Sequence, residues 1–285
     1  MNNVYFGTAG WSYKDWEEIV FPNIEDSNFD QLTYLSKYFD TIELNNTFYR
    51  PPSVYMSRTW VKKTISNPNF KFTAKLWQKF THEKEMISVN EEKSFKDGIA
   101  PLLENDKLGT LLIQFPWSFK NNEDNRKIIE YIIAKFKEYP LVIEFRHNSW
   151  LTNDVLMFLK DNMIGFCNID QPIIGNSIKP SNYVTSQIGY VRLHGRNYKD
   201  WFRKEAGRDD RYNYLYSVSE LEDWIKKLKE MQKKARQIYV IANNHYRGQA
   251  ATNALQLKSM FYEKKVPVPE QLSIYYPELN EIKTD

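Results

Sequence analysis

Cysteine is almost absent from this 285-residue chain, long apolar runs are missing, and the excess of positive charge is only +3. Each shortage excludes something. The single cysteine, Cys167, has no intrachain disulfide partner, and its setting in 164-IGFCNI-169 is that of a buried thiol. A reducing, cytoplasmic location is therefore the expectation. No stretch approaches the roughly 18 consecutive apolar residues of a spanning helix, so no membrane partner is expected. The first residues run straight into a strand-like segment, 4-VYFGTAG-10, without the basic region, apolar centre and cleavage site of an export signal. A charge of +3 on 39 basic and 36 acidic residues gives no general attraction for nucleic acid, so an anion site would need a local gathering of Arg and Lys. The glycine-rich phosphate fingerprint is also missing after the first strand, where 7-GTAGWS-12 has the wrong spacing and leads into aromatic residues. That counts against an open doubly wound sheet.

What the chain does have is a repeated pattern in its strand-like runs. In 41-TIELNNT-47, 141-LVIEFR-146 and 190-YVRLHGR-196, apolar residues alternate with residues that turn polar or charged near the end of the run. Successive strand side chains point to opposite faces, so each run carries an apolar face and a face that becomes charged at its C-terminal end. Similar runs occupy 4–10, 70–76, 108–115, 164–170 and 237–244. Helical segments are expected between most of them, at about 28–38, 54–65, 90–104, 122–136, 152–161 and 248–262. Ser53 is a candidate cap for the second, and Ser219 with Glu222 has capping-box spacing at the start of the helix after residue 217. The stretch 171–189, with two prolines and two glycines, predicts a long loop or a very short helix, and 196–217 a long loop. The tail 266–285, with three prolines, is expected to pack over an end of the barrel.

Strands alternating with helices indicate parallel βαβ units, and eight of them favour closure. The expected fold is α/β, a single-domain TIM (β/α)8 barrel spanning 1–285, with parallel strands and long loops after strands 6 and 7. Ligands approach such a barrel at the C-terminal ends of its strands. Those ends supply Glu43, Asn45, Lys75, Gln114, Glu144, Arg146, Asp170, Arg192, His194, Asn243 and Asn244. A closed ion-pair plug of Glu43, Glu144, Arg146 and Arg192 is the bland account of these charges. Lys75, Arg146, Arg192 and Arg196 outnumber Glu43, Glu144 and Asp170, however, and the planar fork of arginine suits carboxylate or phosphate. His194 is the natural proton carrier among them, with Glu144 or Glu43 orienting it or acting as base. A hydrogen-bonded interior histidine is the structural alternative. The chain's four histidines show no metal-ligand spacing, and no cofactor is required. A divalent metal on Glu43, Glu144 and His194 stays open.

Two other classes compete. Glu43 and Glu144 could be the carboxylate pair of a carbohydrate-active hydrolase, although neighbouring arginines would lower the acid's pKa. The loop RNYKDWFRKEAGRDDRYNYLY at 196–216 interleaves basic and aromatic residues as single-strand nucleic-acid binders do, but its own acids cancel much of the charge. A lid over the mouth is an equal account of it.

The segments 7-GTAGWSYKDW-16, 38-YFDTIELNNTFYRPPS-53, 70-FKFTAK-75, 111-LLIQFPWSF-119, 143-IEFRHNSW-150, 190-YVRLHGR-196 and 242-ANNHYRGQAATNA-254 together resemble the YecE-like family, catalogued as domain of unknown function number seventy-two. The resemblance covers nearly the whole chain and implies a TIM barrel, but no activity. Its segments contain the strand-end residues above together with Thr47, Tyr49, Arg50, His147, Trp150 and Gly195. One departure is Ala242, where an aromatic usually precedes the paired asparagines, and it is expected to leave space beside Asn243. The working expectation is an anion-recognising pocket on a phosphorylated or carboxylated substrate, with hydrolysis as one reaction it could serve. Arg146, Arg192 and Lys75 hold the anion, helped by Arg196 and Tyr49. His194, Glu144 and Glu43 handle protons, while Asn45, Gln114, Asn243 and Asn244 orient the ligand. The partner is a small anion, with nucleic acid as the rival; no oligomeric state is implied.

Overall fold

The computed structural model describes residues 3–22, 28–83, 87–201 and 203–284. In it the eight alternating runs pair in chain order, each parallel to the next, and the last closes on the first. The strands are β1 (Asn3–Ala9), β2 (Thr41–Leu44), β3 (Lys71–Lys75), β4 (Leu108–Gln114), β5 (Leu141–Glu144), β6 (Gly165–Asp170), β7 (Ile188–Leu193) and β8 (Gln237–Ala242). Closure removes every sheet edge, so each backbone ladder is paired on both sides.

Outside the strands lie α1 (Gln31–Leu35), α2 (Asn46–Tyr49), α3 (Val54–Lys63), α4 (Gln78–Thr81), α5 (Val89–Glu104), α6 (Glu123–Phe136), α7 (Asn153–Asp161), α8 (Arg208–Arg211), α9 (Val218–Gln232), α10 (Gln249–Tyr262) and α11 (Glu270–Tyr275). No helix follows β6; residues 171–187 are loop, as their prolines and glycines predict. Most helices start where the sequence expects. Ser53 accepts a hydrogen bond from the Met56 amide. The capping box of α9, however, is Ser217 with Glu220, not Ser219 with Glu222. Both pairs have the spacing, and the earlier one wins because the preceding Tyr216 is buried and fixed by Asn253. The first helix is shorter than expected, since Asp30 caps it from outside by accepting from the Thr33 amide.

The core has two parts. The larger lies inside the barrel and beneath α1, α3, α5, α6, α7 and α10; the smaller joins Val4, Phe6, Val191 and Leu193 to Leu221, Trp224 and Leu228 of α9. The tail buries Val266, Leu272 and Leu279, and Tyr276 donates to the Arg247 carbonyl. It packs beside the loops after β1 and β8, where Leu272 lies against Gly248. Among the described residues no helix is long and apolar enough to cross a membrane.

Register prepares the mouth. Glu43 sits level with Thr73, so Lys75 stands one inward-facing layer above it. Gln114 sits level with Glu144 on the next pair of strands. Two glycines turn the chain where strands end. Gly10 (φ 82°) lies against Tyr13 and Asn45, and a Cβ at Gly195 (φ 89°) would come within 2.7 Å of Tyr214.

Candidate functional site

The inward face of β7 builds the floor. The Tyr190 hydroxyl donates to Glu43 Oε2 at 2.9 Å and meets Thr73 Oγ1 at 2.8 Å. One layer up, the Arg192 guanidinium bridges two carboxylates, at 2.7 Å to Glu43 Oε1 and 2.5 Å to Glu144 Oε2, and reaches Gln114 Oε1 at 3.1 Å. Arg146 Nε takes the other Glu144 oxygen at 2.9 Å. Glu43 and Glu144 are fully buried and Arg192 is 1 % exposed. Charges this deep persist only when paired, and here each carboxylate has a cation. The bland plug of Glu43, Glu144, Arg146 and Arg192 is therefore real, but it forms a floor and not a seal.

Burial alone would raise the Glu144 pKa; Arg192 and then Arg146 overcome it and hold the carboxyl well below its usual range. His194 is fully buried. Asn243 Nδ2 lies 2.9 Å from its Nδ1, so the ring proton sits on Nε2, 3.5 Å from Glu144 Oε1. Burial and then the Arg192 charge push its pKa down to about 3. Its surroundings thus favour the neutral imidazole.

Above the floor opens a cavity of about 570 Å3, within the size range of small-ligand sites. Its wall includes Lys75, Gln114, Arg146, Arg192, Asn45 and Asn243, with Tyr49 at the rim, seven of the expected binding residues. The three residues expected to move protons, Glu43, Glu144 and His194, do not line it. Neither do Arg196 and Asn244. Asn244 Nδ2 donates to the Tyr214 carbonyl and to Asn253, which anchors the loop before α9. Ala242 is buried off the cavity as well, so the missing aromatic does not widen the pocket.

Asp170 and Arg196 face the helix layer. Arg196 grips Asp170 with two bonds of 2.8 and 2.7 Å and reaches Glu220 at 2.9 Å, while Trp224 Nε1 donates to Asp170 Oδ2 at 2.6 Å. Asp170→Ala should therefore cost about 1–3 kcal/mol, since the buried Trp224 N–H loses its acceptor while Arg196, partly exposed, keeps Glu220. Urea unfolding checks this, and an unchanged midpoint would mean that the triad carries no stability. Other family-segment residues are also structural. Thr47 Oγ1 donates to the Lys75 carbonyl at 2.7 Å, His147 Nδ1 lies 2.8 Å from Ser149 Oγ, and Trp150 stacks on Phe145.

A second wall is aromatic. Tyr13 stacks on His245 with ring centroids 4.4 Å apart, and Tyr212 lies 5.4 Å from the same imidazole. Trp11 and Arg211 complete that side. Tyr13 and His245 stand in the segments 7-GTAGWSYKDW-16 and 242-ANNHYRGQAATNA-254. In the 196–217 loop, Arg196 pairs with Asp170 and Glu220, and Arg203 with Asp200 and Asp210. Glu43 and Glu144 are both paired with Arg192, and neither lines the cavity. Among the described residues no group of three His, Cys, Asp or Glu side chains is placed to hold a metal.

These features can be set beside known proteins. The chain is 30 % identical over 287 residues to the UPF0759 protein YunF of Bacillus subtilis (strain 168), covering 95 % of this chain and all of the relative. It is 35 % identical to a DUF72 family protein of Thermotoga maritima whose crystal structure superposes with a TM-score of 0.80, over 91 % of this chain and 99 % of the other. A DUF72 family protein of Enterococcus faecalis matches at 27 % identity and the same TM-score, over 91 % and 95 % of the two chains. The family model described as "Protein of unknown function DUF72" matches residues 5–274, and to that family this chain belongs.

Proposed function

We propose that the cavity is the substrate site of an enzyme that acts on a small anion, a phosphorylated or carboxylated metabolite. One observation carries the reading: among the described residues the cavity wall holds Lys75, Arg146, Arg192 and Arg211 and no carboxylate. Glu43 and Glu144 balance part of this charge from below, but they are spent on Arg192 and Arg146. In this reading Arg146 and Arg192 hold the anion as planar donors. Asn45, Gln114 and Asn243 supply neutral hydrogen bonds that orient the rest of the ligand. Glu43 and Glu144 act from beneath by fixing the two guanidinium groups, and His194 stands 3.5 Å from Glu144. The aromatic wall of Tyr13, His245 and Tyr212 covers the ligand's apolar part.

A thermal-shift screen of sugar phosphates, carboxylic acids, inorganic phosphate, oligonucleotides and neutral sugars tests this, because any ligand that binds the folded state raises Tm by mass action. Anionic metabolites should raise it and neutral sugars should not. Stabilisation by oligonucleotides that disappears steeply with salt would transfer the site to nucleic acid.

Binding should also depend on pH with a definite sign. Burial, and then the Arg192 charge, pull Lys75 down to about 7. Below that pH its ammonium adds to the attraction for an anion, and above it the charge is gone. Anion affinity should therefore fall by about tenfold between pH 6 and pH 8.5, the worth of one nearby charge. Isothermal titration at the two pH values measures it; an affinity that rises with pH would place Lys75 outside the anion's reach.

A further inference from the structure

The ammonium end of Lys75 differs from the two guanidinium groups of the floor. Arg192 and Arg146 are each bonded to a carboxylate. Lys75, at the end of β3, forms no hydrogen bond or ion pair through its side chain among the described residues. Its Nζ lies 4.3 Å from the centroid of the Phe48 ring, inside the cavity wall. Its backbone is pinned by Thr47, whose hydroxyl donates to its carbonyl, so the side chain leaves a fixed point. A cation that merely balanced the floor would be expected to touch Glu43 or Glu144, as the two arginines do. Lys75 instead presents its nitrogen to the space where a ligand would sit.

We infer that Lys75 is a nucleophile that forms an imine with the aldehyde or ketone carbon of a ligand that also carries a phosphate or carboxylate. This rests on the anion-site reading above and names the substrate class within it. The amine lone pair forms the C–N bond while the carbonyl π electrons move to oxygen. Both nitrogen protons then leave with that oxygen as water, and the C=N bond remains. No metal, oxidant or further reactant is consumed. An amine does this only in its neutral form, and a lysine reaches that form near neutrality when it is desolvated beside another cation.

The surroundings of Lys75 supply that condition. Burial and the Arg192 and Arg146 charges disfavour its ammonium, while Glu43 and Glu144 favour it less strongly, which leaves its pKa at about 7. The remaining titratable neighbour is His82, just past α4. Burial and then Lys75 and Arg146 push its own pKa down, so it adds no positive charge at neutral pH. Phe48 faces Lys75 from α2 and keeps that side apolar.

The test is reductive trapping on the full chain. Protein is incubated with pyruvate, with dihydroxyacetone phosphate or with acetone, then reduced with borohydride, and the adducts are located by peptide mass spectrometry. Lys75 should carry the adduct with the two anionic probes at about tenfold or more the occupancy of any other lysine, as for an activated amine. Its labelling should rise between pH 6 and pH 8. Lys75→Arg keeps a positive charge but cannot form an imine, so it should lose the adduct and keep a phosphate-induced rise in Tm. Labelling spread evenly over the lysines overturns the nucleophile. If phosphate still raises Tm in that case, the anion site survives without it. Equal labelling by acetone and pyruvate keeps the nucleophile and removes the anion requirement, and loss of both signals removes both readings.

Discussion

Arg192→Met should lower the unfolding free energy by about 3–5 kcal/mol, because it strips the cation from two carboxylates buried in the barrel. Arg192 is 1 % exposed and holds Glu43 at 2.7 Å and Glu144 at 2.5 Å. Without it Glu43 keeps only the Tyr190 hydroxyl, and Glu144 keeps Arg146 and the long contact to His194. Methionine fills the volume without repairing the charge, so at least one carboxyl must take up a proton to stay buried. The sign of the pH dependence follows. In the parent, Glu144 is held well below its ordinary pKa, so its contribution is present above the unfolded value and is lost as acid protonates the folded group. In Arg192→Met that contribution is weakened, and the stability deficit should be greatest near neutral pH and shrink towards pH 4. Glu43→Gln and Glu144→Gln on top of Arg192→Met should recover part of the loss. Urea unfolding at pH 7 and pH 4 measures all of this. An unchanged midpoint in Arg192→Met would mean that the three groups contribute nothing net to folding.

Arg146→Ala should weaken binding of an anionic ligand by about 30- to 100-fold while the barrel stays folded, a loss in keeping with removal of one charge-assisted hydrogen-bond pair. The side chain is partly exposed to the cavity and shares only one oxygen of Glu144, whose other oxygen remains with Arg192. Its removal thus leaves Glu144 paired, which makes it a cleaner probe of binding than Arg192. Isothermal titration with the best anion from the thermal-shift screen gives the affinity, and the melting curve reports folding. Retention of full affinity in a folded Arg146→Ala protein would remove the assignment of that arginine to the anion.

The fold was legible because its signals are local. Period-two alternation in runs such as 41–47 and 190–196, helices of ordinary length between them, and the absence of a phosphate fingerprint leave few arrangements besides a closed parallel barrel. The strand-end rule also located Lys75, Gln114, Arg146, Arg192 and Asn243 at one mouth, where the structure brings them together. It failed for Asp170. That residue ends β6 as Glu144 ends β5, yet its side chain faces Trp224 of α9. In 164-IGFCNID-170 apolar and polar residues do not alternate, so the facing of the last residue was unreadable. Arg196 follows Asp170 outward, because a buried carboxylate claims the nearest bidentate partner.

Depth was not legible either. Glu43, Glu144 and His194 have the same sequence signature as Lys75 and Arg146, and only the closed barrel reveals that they do not line the cavity. The level of a side chain depends on register and shear between neighbouring strands, which no single strand encodes. The amino-acid sequence by itself determined the eight parallel strands, the charged rim and the family. The tertiary structure decided which charges are consumed in pairing and which face open space, since pKa and reactivity follow from burial and from neighbours brought together across the barrel.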